Sequence, residues 1–173
     1  MVAVAIIALL ATIIAPSFSG RQSGAKREEF IKKLDALSRF AWQQALVTHK
    51  LHRLYVDFAK RTITLQVATD KKDSEGELVC EKVKSFYVQT HISIPPQLRI
   101  EQFIIERFDE MTRSTALSTK QVWFYFMPEG LTQEVIINMV DTQDKLANQK
   151  PRPIGLVLNP FSARFSVYDA FQK

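Results

Sequence analysis

At 173 residues, with 46% hydrophobic side chains, the chain has material for one packed domain and an appendage. Its single cysteine, Cys80, excludes an intramolecular disulfide and a paired-cysteine metal site. The net charge of +5 is uneven: residues 21–61 carry ten Lys/Arg against four Asp/Glu, and the rest of the chain sums to −1, which argues against a distal nucleic-acid surface.

The first fifteen residues, Met1-Val-Ala-Val-Ala-Ile-Ile-Ala-Leu-Leu-Ala-Thr-Ile-Ile-Ala, carry no charge, and none appears before Arg21. As a helix this run reaches roughly 22 Å, short of a ~30 Å hydrocarbon core. A signal peptide would have a basic stretch in front and a small-residue cleavage site behind. Here nothing basic precedes the run, and Ala15-Pro16 is a poor processing site. A buried core helix would be apolar on one stripe, whereas this segment is apolar all round. A membrane helix needs about six more apolar residues upstream of Met1 to reach the ~20 that span a bilayer.

These residues carry a resemblance. Val-Ala-Ile-Ile-Ala-Leu-Leu-Ala-Thr-Ile-Ile-Ala-Pro-Ser-Phe, at 4–18, resembles the N-terminal helix of type IV pilins and type II secretion pseudopilins, with Pro16 where that helix meets its proline. In that superfamily a Phe-Thr-Leu-x-Glu-type stretch and a leader-peptidase site precede the run. Their absence here predicts that the helix starts upstream of Met1. The resemblance implies that Val4, Ile7, Leu10, Ile14 and Pro16 pack in the membrane or against like helices. Arg21, Lys26, Arg27, Lys32 and Lys33 follow the apolar run, and basic residues there more often meet lipid phosphate than nucleic acid. By the positive-inside rule they would hold the domain in the cytoplasm. The resemblance implies the opposite orientation, which a short basic leader would restore.

Pro16, Gly20 and Gly24, with Ser17, Ser19 and Ser23, predict a hinge over 16–24. Residues 1–24 therefore read as an apolar helix with its hinge, and 25–173 as a globular unit. From residue 25 the period is helical, with Phe30, Leu34, Leu37, Ala41 and Ala45 at three- and four-residue spacing. This predicts a helix over 25–48, either separate from the first or continuous with it across the hinge, whose apolar stripe, Phe30, Leu34, Leu37 and Ala41, packs on a β-domain.

The period then changes to two. Leu54, Val56 and Phe58, followed by Ile63, Leu65 and Val67, predict a hairpin. Strands are expected at 78–83 and 86–94, the latter with Phe86, Val88, Ile92 and Ile94 inward, before Pro95-Pro96 breaks the ladder. Leu98, Ile100 and then Phe103-Ile-Ile105 predict a strand with a bulge. Residues 107–120 read as a loop, and 122–127 as a central strand apolar on both faces. A strand at 134–140, a polar loop at 141–153 and a hairpin of 154–158 with 164–168 complete the chain. The class is α+β: one long helix followed by seven to nine antiparallel strands.

The β region extends the resemblance. Leu-Tyr-Val-Asp-Phe-Ala-Lys-Arg-Thr-Ile-Thr-Leu (54–65), Phe-Tyr-Phe-Met-Pro-Glu-Gly (124–130) and Leu-Val-Leu-Asn-Pro-Phe-Ser-Ala-Arg-Phe-Ser-Val (156–167) are similar to the GspH/FimT class of minor pseudopilins and minor pilins. Members of that class commonly close with an Asp/Asn-Pro turn containing Gly-Arg. Ala163 stands at that glycine, where a positive φ is costly for a residue with a Cβ.

The resemblance implies a non-catalytic subunit of a type II secretion pseudopilus. Such a subunit is stored in the bacterial inner membrane as a single-pass protein with its β-domain outside the cytoplasm. Its partners would be other pseudopilins or pilins through the N-terminal helix, membrane lipid, and the secretion system's assembly platform. A minor pilin of a type IV pilus, in DNA uptake or adhesion, is the alternative, with DNA disfavoured as a partner. An envelope enzyme on a signal anchor is the third reading.

Residue chemistry favours no enzyme. His49 and His52 sit near a helix end and His91 far along the chain, with no HExxH pattern, so all three read as surface histidines. Cys80 has no activating His nearby in sequence. The pairs Glu28-Glu29 and Asp109-Glu110 read as solvated. No phosphate-binding glycine loop or GxSxG is present, and no cofactor is expected. Trp123 and Tyr125 share one strand face and Phe124 and Phe126 the other, with only Lys120 near in sequence, so the aromatic run 123–126 reads as buried under the helix on one face rather than as a stacking platform.

Overall fold

The computed structural model describes residues 2–72, 76, 78–112, 121–147 and 149–173, with side chains from Gly24 onward. The fold is α+β. Helix α1 (Val2–Thr48) is followed by β1 (His52–Asp57), β2 (Thr62–Lys72), β3 (Leu78–Lys82), β4 (His91–Ser93), β5 (Leu98–Ile105), β6 (Phe108–Asp109), β7 (Gln121–Phe126), β8 (Val135–Lys145), β9 (Pro151–Leu158) and β10 (Phe165–Tyr168). The span of α1 runs continuously across 16–24, the alternative in which the second helix continues from the first.

The strands form two antiparallel sheets of five. Sheet A runs β3-β2-β1-β7, with β4 also paired to β2, and sheet B runs β10-β9-β8-β5-β6. The expected hairpin is in register, Leu54 opposite Leu65 and Val56 opposite Ile63, which sends these four to one face. The bulge lies between Ile100 and Gln102 of β5 and returns Phe103 and Ile105 to the core. Helix α1 packs on β8, β1, β4 and β7, so its apolar stripe closes the space over both sheets. Phe30, Leu34, Leu37, Ala41 and Ala45 are all buried there with Leu54, Phe103, Phe124 and Met139. Removing such side chains from water supplies roughly 1.5–3 kcal/mol for each large one, which makes this junction the domain's main hydrophobic seam.

The structure corrects four expectations. Residues 86–94 do not form one strand: only 91–93 pair, and Phe86 and Tyr87 stand 102% and 98% exposed, because the Ser85 hydroxyl accepts from the N–H groups of Tyr87 and Val88 and turns the chain outward. Among the described residues strand β7 pairs with β1 alone as a named strand and is an edge, not a central strand; its hydrophobic run is explained by a buried face, Val122, Phe124 and Phe126, opposite a half-buried one. The loop expected over 141–153 is shorter, since β8 extends to Lys145 and β9 begins at Pro151. Phe108 and Asp109, inside the loop expected over 107–120, pair with β5.

Candidate interaction surfaces

Polar contacts decide how α1 is held. The Asp35 carboxylate accepts from the Phe165 N–H at 2.9 Å, the Ser38 hydroxyl donates to the Ala163 carbonyl at 2.6 Å, and the Trp42 indole donates to the Gly130 carbonyl at 2.8 Å. Three residues on successive turns thus fix the helix to the last hairpin and to the turn after β7. Ala163 is fully buried with φ +51°, so the turn keeps its left-handed geometry with an alanine. The Asn159 side chain stabilises that turn by accepting from the Phe161 and Ser162 N–H groups.

Arg27 does not face outward with the other basic residues. Its Nη1 lies 2.7 Å from Asp144 Oδ2 and 3.3 Å from Asp141 Oδ2, and Asp144 also meets Arg152 Nε at 2.7 Å. Burial works to raise the Asp144 pKa, but hydrogen bonds from Arg27 and Arg152 outweigh it and hold the carboxyl below its ordinary value. Lys32 and Lys33 pair along the helix with Glu28 and Glu29. The basic run therefore presents less net charge than its count of lysines and arginines implies. Glu28 and Glu29 are exposed, whereas Asp109 accepts from the Phe103 and Met111 N–H groups and shapes the β5–β6 turn.

The outward face of sheet A carries a feature that sequence spacing does not reveal. Register places Lys82, Gln66, Arg53 and Tyr125 in one row across four strands, and His91, Thr64, Tyr55 and Trp123 in the next. Tyr55 and Trp123 stack at 6.3 Å, and the Arg53 guanidinium lies 5.0 Å from the Trp123 ring centre and 5.8 Å from that of Tyr55. Arg53 also donates to Gln66 Oε1, and Trp123 to the Tyr55-neighbouring Tyr125 hydroxyl. Burial first, then the Asp57 charge, pushes the Tyr55 phenol up. Alternation along β1 marks Arg53 and Tyr55 as outward, but only the β1–β7 pairing brings them to Trp123. One face of the aromatic run, Phe124 and Phe126, is buried as expected, and the other, Trp123 and Tyr125, lies half-buried on the outward face.

On the outward face of sheet B the C-terminal residues form a strap. Asn138, fully buried, donates to the Gln172 carbonyl and to Gln102 Oε1, and accepts from the Gln172 N–H. Opposite it in β9, Gly155 leaves room for the Ala170 carbonyl and the Gln172 side chain, which a Cβ would strike. Beside the strap opens a cleft of about 710 Å³ lined by Gln102, Ile104, Arg107, Glu134, Ile136 and Phe171.

The remaining candidates separate. His49 and His91 are exposed, but His52 is 2% exposed, a correction to the surface reading: it starts β1 pointing inward, with Nδ1 2.9 Å from the Lys50 carbonyl, and burial lowers its pKa. Burial raises the Cys80 thiol. Among the described residues no group of His, Cys, Asp and Glu is arranged to hold a metal ion. Val4, Ile7, Leu10, Ile14 and Pro16 have side chains outside the described ones. Among the described residues no helix is long and apolar enough to cross a membrane.

No protein-family profile matches the chain, and no curated protein matches its sequence. Among solved structures it is similar to the minor pseudopilin EpsH from the type 2 secretion system of Vibrio cholerae, with a TM-score of 0.48 and 10% identity over 84% of this chain and 95% of that one. A crystal structure of the same pseudopilin gives a TM-score of 0.46 and 8% identity over 83% of this chain and 97% of that one. Values this low are a similarity and do not assign a family.

Proposed function

We propose that the protein is a structural subunit of the minor-pseudopilin kind, stored in the membrane and assembled into or at the tip of a secretion filament through its N-terminal helix. One observation carries the reading: an uncharged apolar run leads directly into a helix whose next stretch is buried on a two-sheet β-domain. An all-apolar helix dissolves in lipid and also in a bundle of its own kind, whereas the β-domain needs water on its outer faces. In this reading residues 1–24 are the membrane and filament part, packing through Val4, Ile7, Leu10 and Ile14 with Pro16 at the hinge. Phe30, Leu34, Leu37 and Ala41 are the grip that couples pull on the helix to the β-domain. The chemistry is assembly and not catalysis.

Expression of the full chain and of a form lacking residues 1–24, each with its membrane fraction washed in alkaline carbonate, tests the first half. The full chain is expected to stay with the membrane and the shortened form to leave it. A photo-crosslinker at Leu10 tests the second half: crosslinks to helices of other pilin-like subunits support assembly. Carbonate-resistant membrane retention by the shortened form sinks the anchor, and crosslinks to lipid alone sink the filament.

A further inference from the structure

Two aromatic side chains stand clear of the domain on a loop that is fixed at both feet. The chain leaves sheet A after Val83, whose N–H donates to the Leu65 carbonyl, and returns at Thr90, whose carbonyl accepts the Leu65 N–H. Both feet thus rest on one residue of β2. Between them the Ser85 hydroxyl accepts the N–H groups of Tyr87 and Val88 and sets the tip. Phe86 and Tyr87 are 102% and 98% exposed, so they fill no site in their own molecule. Residues 82–90 carry Lys82 and Lys84 and no acidic residue. The loop therefore has the form of a knob, aromatic at the tip and cationic on one flank.

The cleft beside the C-terminal strap has the complementary form. Its floor is Ile104 and Ile136, paired across β5 and β8, and its wall is Phe171, still 41% exposed. A volume of about 710 Å³ is in the range of pockets that enclose drug-sized molecules, larger than two aromatic rings. Arg107 and Glu134 also line it, both exposed, and among the described residues no ion pair or side-chain hydrogen bond engages either. Arg107 is kept there against backbone strain. Glu106 and Arg107 form the two-residue turn between the paired Ile105 and Phe108, with φ +49° and +74°, where Asn-Gly would be unstrained. The spacing of charge to apolar group also matches, since Glu134 precedes Ile136 by two residues and Lys84 precedes Phe86 by two.

We propose that this cleft receives the Phe86–Tyr87 tip of a second copy of the chain. The rings pack on Ile104, Ile136 and Phe171, the Arg107 guanidinium lies over a ring face, and Lys84 pairs with Glu134. Knob and cleft are different surfaces of one chain, so the contact is heterologous: each added copy leaves one knob and one cleft open, and the series closes into a ring or extends as a filament. Two aromatics bring roughly 300–500 Å² into the contact, less than the roughly 800 Å² per partner of a standard stable interface. Copies in free solution therefore meet weakly, and the contact forms where they are held side by side. It uses the β-domain alone, so it stands or fails independently of the role proposed for residues 1–24.

The test mixes two full-length copies in detergent micelles, each with Cys80→Ser, one carrying Lys84→Cys and the other Glu134→Cys, and couples them with a short bis-maleimide. The mixed dimer is expected at least about tenfold above that of Lys84→Cys with a copy carrying Gln43→Cys, an exposed helix position outside the contact. Phe86→Ser with Tyr87→Ser touches no core residue. On the Lys84→Cys copy these serines should cut the mixed dimer at least about tenfold, the worth of burying one large side chain. On the Glu134→Cys copy they should leave the yield unchanged, because that copy contributes only its cleft. Phe171→Ser should give the reverse pattern. Four results overturn the proposal: no mixed dimer above the Gln43→Cys control; equal loss whichever copy carries the serines; coupling of the Lys84→Cys copy to itself in excess of the mixed dimer, which means loop on loop; or a thiol in the Lys84→Cys copy shielded by the micelle from a charged maleimide, which means that lipid covers the tip.

Discussion

Ala163 tests whether backbone strain or packing governs the closing turn. The residue is fully buried at φ +51°, and its carbonyl accepts the Ser38 hydroxyl of α1 at 2.6 Å. An L-residue in this region costs roughly 1–2 kcal/mol, which Ala163→Gly releases. Against that, glycine's freedom in the unfolded chain costs about 0.5–1 kcal/mol, and the lost buried methyl about 0.8 kcal/mol. The terms nearly cancel, so Ala163→Gly is expected within about 1 kcal/mol of the parent. Ala163→Val differs: a β-branched residue is more strained at positive φ, and two extra methyls must enter a filled site, for a total loss of about 3 kcal/mol or more. Urea unfolding of the full chain in detergent, followed by tryptophan emission, measures both, since Trp42 reports the contact of α1 with Gly130. A glycine variant destabilised by more than about 2 kcal/mol, or a valine variant equal to the parent, would refute this balance of strain and packing.

Three further outcomes follow from the same contacts. Arg27→Met takes a guanidinium from Asp141, whose side chain is 0% exposed, and should cost about 2–4 kcal/mol in urea unfolding, less than a fully buried pair because Arg27 is 18% exposed and Asp144 keeps Arg152. Asn138→Ala removes the two hydrogen bonds that hold Gln172, so carboxypeptidase should shorten the C-terminus several-fold faster, while global stability falls only about 1–2 kcal/mol because the freed groups reach water; an unchanged cleavage rate refutes the strap. His52 has its folded pKa lowered from 6.5 by burial, so the unfolded chain binds its proton first as pH falls. That contribution is complete above pH 6.5 and is lost as the pH falls from there toward the lowered folded value; His52→Gln should flatten the stability profile between pH 7 and 5.5, and a parallel profile in the variant counts against it.

What the sequence makes legible is set by which interactions are local. Phe30, Leu34, Leu37 and Ala41 stand out because a 3.6-residue period puts them on one face, and the Leu54–Leu65 hairpin because alternation and a short turn fix its register. The bulge in β5 shows as a slip of phase at Phe103. Features that depend on which strand lies beside which are silent. The run of β7, apolar on both faces, reads the same for a central strand and for an edge with one half-buried face, and among the described residues the peeling away of Glu134 toward sheet B leaves it an edge. Arg53 beside Trp123, Arg27 turned in to Asp144, and His52 inward at a strand start each join residues that are distant or at a junction where the period changes. Phe86 and Tyr87 fit a strand by composition, yet the Ser85 hydroxyl takes the Tyr87 and Val88 N–H groups out of the ladder.

The grip on α1 also bounds what the helix can do. Its polar ties run from Arg27 to Trp42, about 22 Å of helix, and each turn in between contributes a buried apolar residue. Arg27 is the most N-terminal of these ties among the described residues, and it is fastened to carboxylates at the end of β8. The sequence ahead of it contains one charged residue between 1 and 25, Arg21. Under the proposed function, the apolar run takes lipid or other helices as its solvent, as the stretch from Arg27 to Trp42 takes sheets A and B. That division, sharp at Arg27, is the physical reason to test residues 1–24 first for partners of this protein.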